Sequence, residues 1–111
     1  MSEPRLKAEI FVAAHVRRVN AEGAFCAIAR RGDPDAGAVA IKVYIPPGQA
    51  RLFMQSRDLD GRSIWREPLE ELCSEKDIDQ WLQKEVSIDP DLWIVEIEDR
   101  DGRSFLDEEP V

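Results

Sequence analysis

From Leu6 to Asn20, apolar positions fall on almost every turn: Leu6, Ile10, Phe11, Val12, Ala13, Ala14, Val16 and Val19, set among good helix formers. A helix with one face in water confines such residues to a single stripe. Here they occupy more than one face. The pattern therefore predicts a helix buried on two sides or touching a partner. Gly23, after Asn20-Ala21-Glu22, suits the left-handed turn that ends a helix.

The period then changes to two. Ala24 to Arg30 reads as a strand. So does Ala38 to Ile45, where Val39, Ile41, Val43 and Ile45 alternate with Ala38, Ala40, Lys42 and Tyr44. Between them, Gly32-Asp33-Pro34-Asp35-Ala36-Gly37 is dense in turn formers. Pro46-Pro47-Gly48-Gln49 ends the second strand. Arg51 to Ser56 is a third, and Asp58-Leu59-Asp60-Gly61 turns into a fourth at Arg62 to Glu67. Ser74-Glu75-Lys76-Asp77 fits a capping box opening a helix whose stripe is Ile78, Trp81, Leu82 and Glu85. Asp89-Pro90-Asp91 stops that helix. Leu92 to Glu98 is the last clear strand, and Asp101-Gly102 signals a hairpin into a short strand at Arg103 to Leu106.

With short, turn-rich connections, this order predicts an α+β fold: an antiparallel β-meander of about five strands with two helices packed on one face. A chain of 111 residues suits one domain, with an ordered core over about 5–107 and a fraying tail from Asp107 to Val111. Asp58 to Ile64 echoes Asp99 to Phe105, and two hairpins sharing one turn chemistry account for the likeness without duplication.

Composition narrows the class. Apolar residues make up 43% and charged residues 34%, too apolar for a disordered chain and too charged for a membrane protein. No apolar run approaches the roughly 20 residues that span a bilayer, and the start lacks a secretory pattern, so cytoplasm is the expected compartment. Cys26 lies in an apolar stretch and Cys73 beside acids, a usage that fits reduced thiols. The net charge is −8 and uneven: residues 1–56 carry eight Lys/Arg and five Asp/Glu, residues 57–111 seven and eighteen. The acidic half argues against nucleic acid.

Four stretches carry a resemblance. They are Glu9-Ile10-Phe11-Val12 leading into Arg17 to Phe25, the turn Arg31 to Gly37, the strand Ile41-Lys42-Val43, and Asp89-Pro90-Asp91-Leu92-Trp93 running on to Arg100. Over residues 5 to about 107 the chain resembles the alphaproteobacterial domain-of-unknown-function family 1491. The resemblance implies a stand-alone bacterial cytosolic domain and implies no activity.

Candidate chemistry is sparse. Four Asp-x-Asp pairs, Asp33/Asp35, Asp58/Asp60, Asp89/Asp91 and Asp99/Asp101, invite a divalent cation, but none has the Glu that an EF-hand places at position twelve. Turn formation explains them better. Glu96 and Glu98 share a strand face and read as solvated. His15 is the only histidine, with no nucleophile elbow and no Cys-x-x-Cys pair near it, so neither a catalytic residue nor a metal or cofactor site is assigned. Arg17, Arg18, Arg31 and Lys42, with Arg30 beside them, would form an anion-binding patch if the first helix packs beside the first two strands. Trp65, Trp81 and Trp93 lie on apolar patterns and read as core, each with its N–H bonded at the edge. The alternative makes Asp89, Asp91 and Trp93 an interface, with Trp93 as an exposed anchor. The expected function is a protein-interaction domain, binding a partner or itself through an open sheet edge. The alternative is a site for a small anionic or phosphorylated ligand on the basic half.

Overall fold

The structure, a computed structural model, describes residues 6–57, 59–60, 62–69 and 72–107. In chain order the elements are α1 (Ala8–Ala21), β1 (Phe25–Arg30), β2 (Val39–Ile45), β3 (Gln49–Arg57), β4 (Ser63–Arg66), β5 (Cys73–Ser74), α2 (Glu75–Ile88) and β6 (Trp93–Glu98). The α+β class holds, with two helices and a six-stranded, mostly antiparallel sheet. The expected turn at Asp58 to Gly61 lies partly outside the described residues, as does the tail beyond Asp107.

Local signals set the helix ends. α1 stops in a Schellman motif: the Ala24 N–H donates to Val19 O, the Gly23 N–H donates to Asn20 O, and Gly23 takes a φ of 93°. At the start of α2 the Ser74 hydroxyl accepts the Asp77 N–H at 3.2 Å. α1 has no side-chain cap. Its first amides donate instead to Asp35 O and Pro34 O, so the 31–38 loop closes the helix end.

The sheet corrects the expected meander. Only β2, β3 and β4 follow one another, and β5 pairs with the start of β3. β6, the last strand, inserts between β1 and β2, antiparallel to the first and parallel to the second. The two helices lie on opposite faces, not on one. Val39, Ile41 and Val43 pack with Val12, Val19, Val95 and Ile97 under α1, while Ala40, Leu52 and Met54 pack with Ile78 and Leu82 under α2. Successive strand side chains point to opposite faces, so a strand buried from Val39 to Val43 needs a layer on each side.

Two further expectations change. Arg103 to Leu106 forms no strand. Asp99 takes the Arg103 backbone N–H at 2.8 Å and the guanidinium at 2.9 Å, which turns the chain back toward α1. That arginine fork also holds the Asp99 carboxyl below its usual range. At the sheet edge, the Asn20 amide accepts the Cys26 N–H at 2.9 Å and donates to Cys26 O at 3.0 Å. The outward backbone of β1 is thereby occupied where it would otherwise template a second strand.

Candidate functional site

The four basic residues do not meet. Lys42 points to the α2 face, where its Nζ lies 2.7 Å from Asp79, 2.8 Å from Glu75 and 3.9 Å from Glu96. Arg31 lies on the α1 side, 3.9 Å from Glu9 and over the Trp93 ring. Arg18 reaches Asp107. Arg17 stands exposed on α1, and among the described residues it forms no ion pair. Arg30 donates to Leu92 O at 2.6 Å.

Lys42 borders a cavity of about 470 Å³ between α2 and the uncovered β1–β6 strands, floored by Leu82, Val86 and Ile94. An amine beside an apolar cavity can serve as a nucleophile when burial lowers its pKa. Burial does press Lys42 that way. Its hydrogen bonds to Asp79 and Glu75, and the charge of Glu96, outweigh it and hold the ammonium above its ordinary value. The side chain is a cation held by three carboxylates.

Trp93 is not an exposed anchor. Its side chain is only 1% exposed, and its Nε1–H donates to Asp33 O at 2.7 Å. It sits on β6 as one of the inward-alternating residues, which is why it is covered. Asp89 Oδ1 accepts the Asp91 N–H, and Asp91 O accepts the Asp33 N–H. Asp33 Oδ2 in turn accepts from Ala36 and Asp35. These aspartates shape turns, and the two motif-like loops lock onto each other. Among the described residues no group of three or more His, Cys, Asp or Glu is placed to hold a metal ion.

A second centre forms where α1, β4 and the C-terminal segment converge. The rings of Trp65 and Phe11 stack with centroids 5.7 Å apart, and those of Phe11 and His15 at 5.6 Å. They line a cavity of about 270 Å³ closed by Arg18, Leu106 and Asp107. A neighbouring groove of about 370 Å³ shares Phe11 and Trp65. The sequence pattern places Phe11 and Trp65 only in the core. That they wall one cavity depends on pairing across more than fifty residues, which no local signal carries.

The ring of His15 has a defined tautomer. Its Nε2 lies 2.9 Å from Ser104 O, a pure acceptor, so Nε2 carries the proton. Nδ1 then accepts from Arg18 Nη2 at 3.3 Å. Protonating Nδ1 would set one cation against another. Burial is the largest influence on His15 and lowers its pKa from 6.5; the Ser104 carbonyl opposes this and the Arg18 charge adds to it. The unfolded chain thus takes up a proton first. This contribution to stability is complete above pH 6.5 and declines as pH falls below it. Urea unfolding of the wild type and His15→Phe from pH 8 to 5 should show the wild type alone losing this increment. Parallel curves would remove the assignment.

The outer face of α1 is unusual for a helix side in water. It carries Leu6, Ile10, Ala13, Ala14 and Ala21, with Arg17 as its central charge. Leu6 is 57% exposed and Ile10 50%.

The fold defines a small α+β domain with a mixed sheet sandwiched between two helices, and among the described residues no helix is long and apolar enough to cross a membrane. The chain belongs to the DUF1491 family, described as proteins of unknown function, whose model matches residues 6–107. It is similar to a DUF1491 family protein from Caulobacter crescentus CB15 solved by crystallography, with 45% identity and a TM-score of 0.87 over 96% of this chain and 100% of that one. An NMR structure of a family protein from the same organism gives 44% identity and a TM-score of 0.88 over 98% and 99%. A solution structure from A. tumefaciens gives 28% and 0.76 over 97% and 100%. No curated protein matches the chain.

Proposed function

We propose that this chain is a small cytoplasmic interaction domain that pairs with a second copy of itself through the outer face of α1. The observation that supports this is the apolar character of both sides of α1, although only the inner side is covered by its own sheet. Val12, His15 and Val19 face inward, while Leu6 and Ile10 remain at least half exposed on the other side. A two-fold axis near Ala13 sets two copies of α1 antiparallel. The small side chains of Ala13 and Ala14 permit close approach, and Arg17 comes opposite Glu9 of the second copy. Glu9 is available, since its contact with Arg31 is long at 3.9 Å.

A single helix pair lies below the roughly 1,200 Å² of a standard interface, so the expected dimer is weak. Light scattering should give a monomer at about 10 μM and a rising dimer fraction toward about 1 mM, a range that corresponds to a few kcal/mol of association energy. Ile10→Glu should remain monomeric throughout with an unchanged melting curve. A wild-type protein that stays monomeric at 1 mM on the order-of-magnitude scale above ends the proposal.

A further inference from the structure

The cavity between α1, β4 and the C-terminal segment has the chemistry of a ligand site. We infer that it binds a small molecule with a flat apolar body and one carboxylate, and that Asp107 holds the carboxylate's place on Arg18. The Phe11 and Trp65 rings, stacked on one another, form one apolar wall on which a planar group can lie. At its end the Arg18 guanidinium donates from Nη1 to both oxygens of Asp107, at 3.1 and 3.2 Å. The other terminal nitrogen is committed inward, to Phe105 O and His15 Nδ1. One terminal nitrogen, Nη1, therefore faces outward, and it is enough for a single carboxylate.

Charge and exposure support the same class. Asp107 is 86% exposed at its side chain against 41% for Arg18, so the carboxylate is the solvent-side partner of a weak surface pair. An incoming carboxylate makes the same two bonds and adds contact with the two rings. A phosphate dianion fits poorly. Among the described residues the site offers one arginine, His15 is neutral, and the chain's net charge is −8. With the adjoining groove, the space falls in the range of about 300–1,000 Å³ that small-molecule sites occupy.

The test is an NMR titration of the full chain with trans-cinnamate, alongside its neutral amide. The signals followed are the Trp65 indole N–H, assigned with Trp65→Phe, and the Asp107 backbone N–H. Cinnamate should shift both saturably and bind about two- to fivefold more tightly than the amide, the worth of an exposed pair. Asp107→Asn keeps Arg18 in place, removes the internal competitor and should tighten binding about two- to fivefold. Arg18→Gln should lose the preference for acid over amide. Ile10→Glu should bind like the wild type, which separates this site from pairing through α1. The inference is overturned if neither the wild type nor Asp107→Asn binds saturably, if acid and amide bind alike, or if Asp107→Asn leaves the affinity unchanged.

Discussion

Gly32→Ala should lower the stability of this chain by about 3 kcal/mol or more, well above the cost of an ordinary surface substitution. A Cβ on Gly32 would lie 2.1 Å from Asp91 O and 2.7 Å from both Leu92 C and the Trp93 ring. The first two are backbone atoms and cannot rotate away. Moving them would break Asp33 N–H to Asp91 O at 3.0 Å and Trp93 Nε1–H to Asp33 O at 2.7 Å. The same loop supplies Pro34 O and Asp35 O to the start of α1, so the damage would reach the helix. In a domain of this size the melting temperature should fall by about 10 °C or more. Gly48→Ala is the control. Nothing lies within 4 Å of a Cβ there, and only its φ of 106° resists, for about 1 kcal/mol. Urea unfolding of both variants distinguishes collision from conformation. A Gly32→Ala protein as stable as Gly48→Ala would show that the two loops are not locked as described.

Lys42→Met should cost about 2–3 kcal/mol at neutral pH, below the 3–5 typical of a broken buried pair because its partners are partly solvated. Lys42 is 5% exposed, while the Glu75, Asp79 and Glu96 side chains are 36%, 54% and 40% exposed. Methionine retains the packing but leaves three carboxylates facing one another. The pH dependence gives a second check. The folded-state pKa of Lys42 is raised, so the ammonium's contribution is complete below the ordinary value of 10.5 and is lost as pH rises through the folded value. The stability gap between wild type and Lys42→Met should therefore hold from neutral pH to about 10 and close above it. A variant equal to the wild type at pH 7 would make the cluster a solvated surface group.

Most elements were legible because their causes are local. The Schellman glycine, the Ser74 cap and the alternation around Val39 to Ile45 each lie within a few residues. Which faces those elements cover was not legible from the same signals. Lys42 was expected in a basic patch with Arg17, Arg18 and Arg31, yet its ammonium is enclosed by acids from α2 and β6. One sign was present: Val39-Ala40-Ile41 and Leu92-Trp93-Ile94-Val95 are continuous apolar runs, the mark of strands covered on both sides and of parallel pairing. Among the candidate sites, Arg18 gained two acceptors from a segment 87–89 residues away, which a charge count could not foresee. Trp93 was read from its alternating strand as core, which its 1% exposure bears out, while its alternative as an exposed anchor is excluded by the same burial.

The position of β6 has a consequence for biosynthesis. A ribosome that has delivered everything through α2 has produced two pieces with no strand joining them: the α1–β1 arm, and the β2-to-α2 unit with one side of β2 still unpaired. Only β6 bridges them. β6 must therefore leave the ribosome before the domain closes, and a message truncated ahead of Trp93 would yield a product with no central strand to zip the halves together.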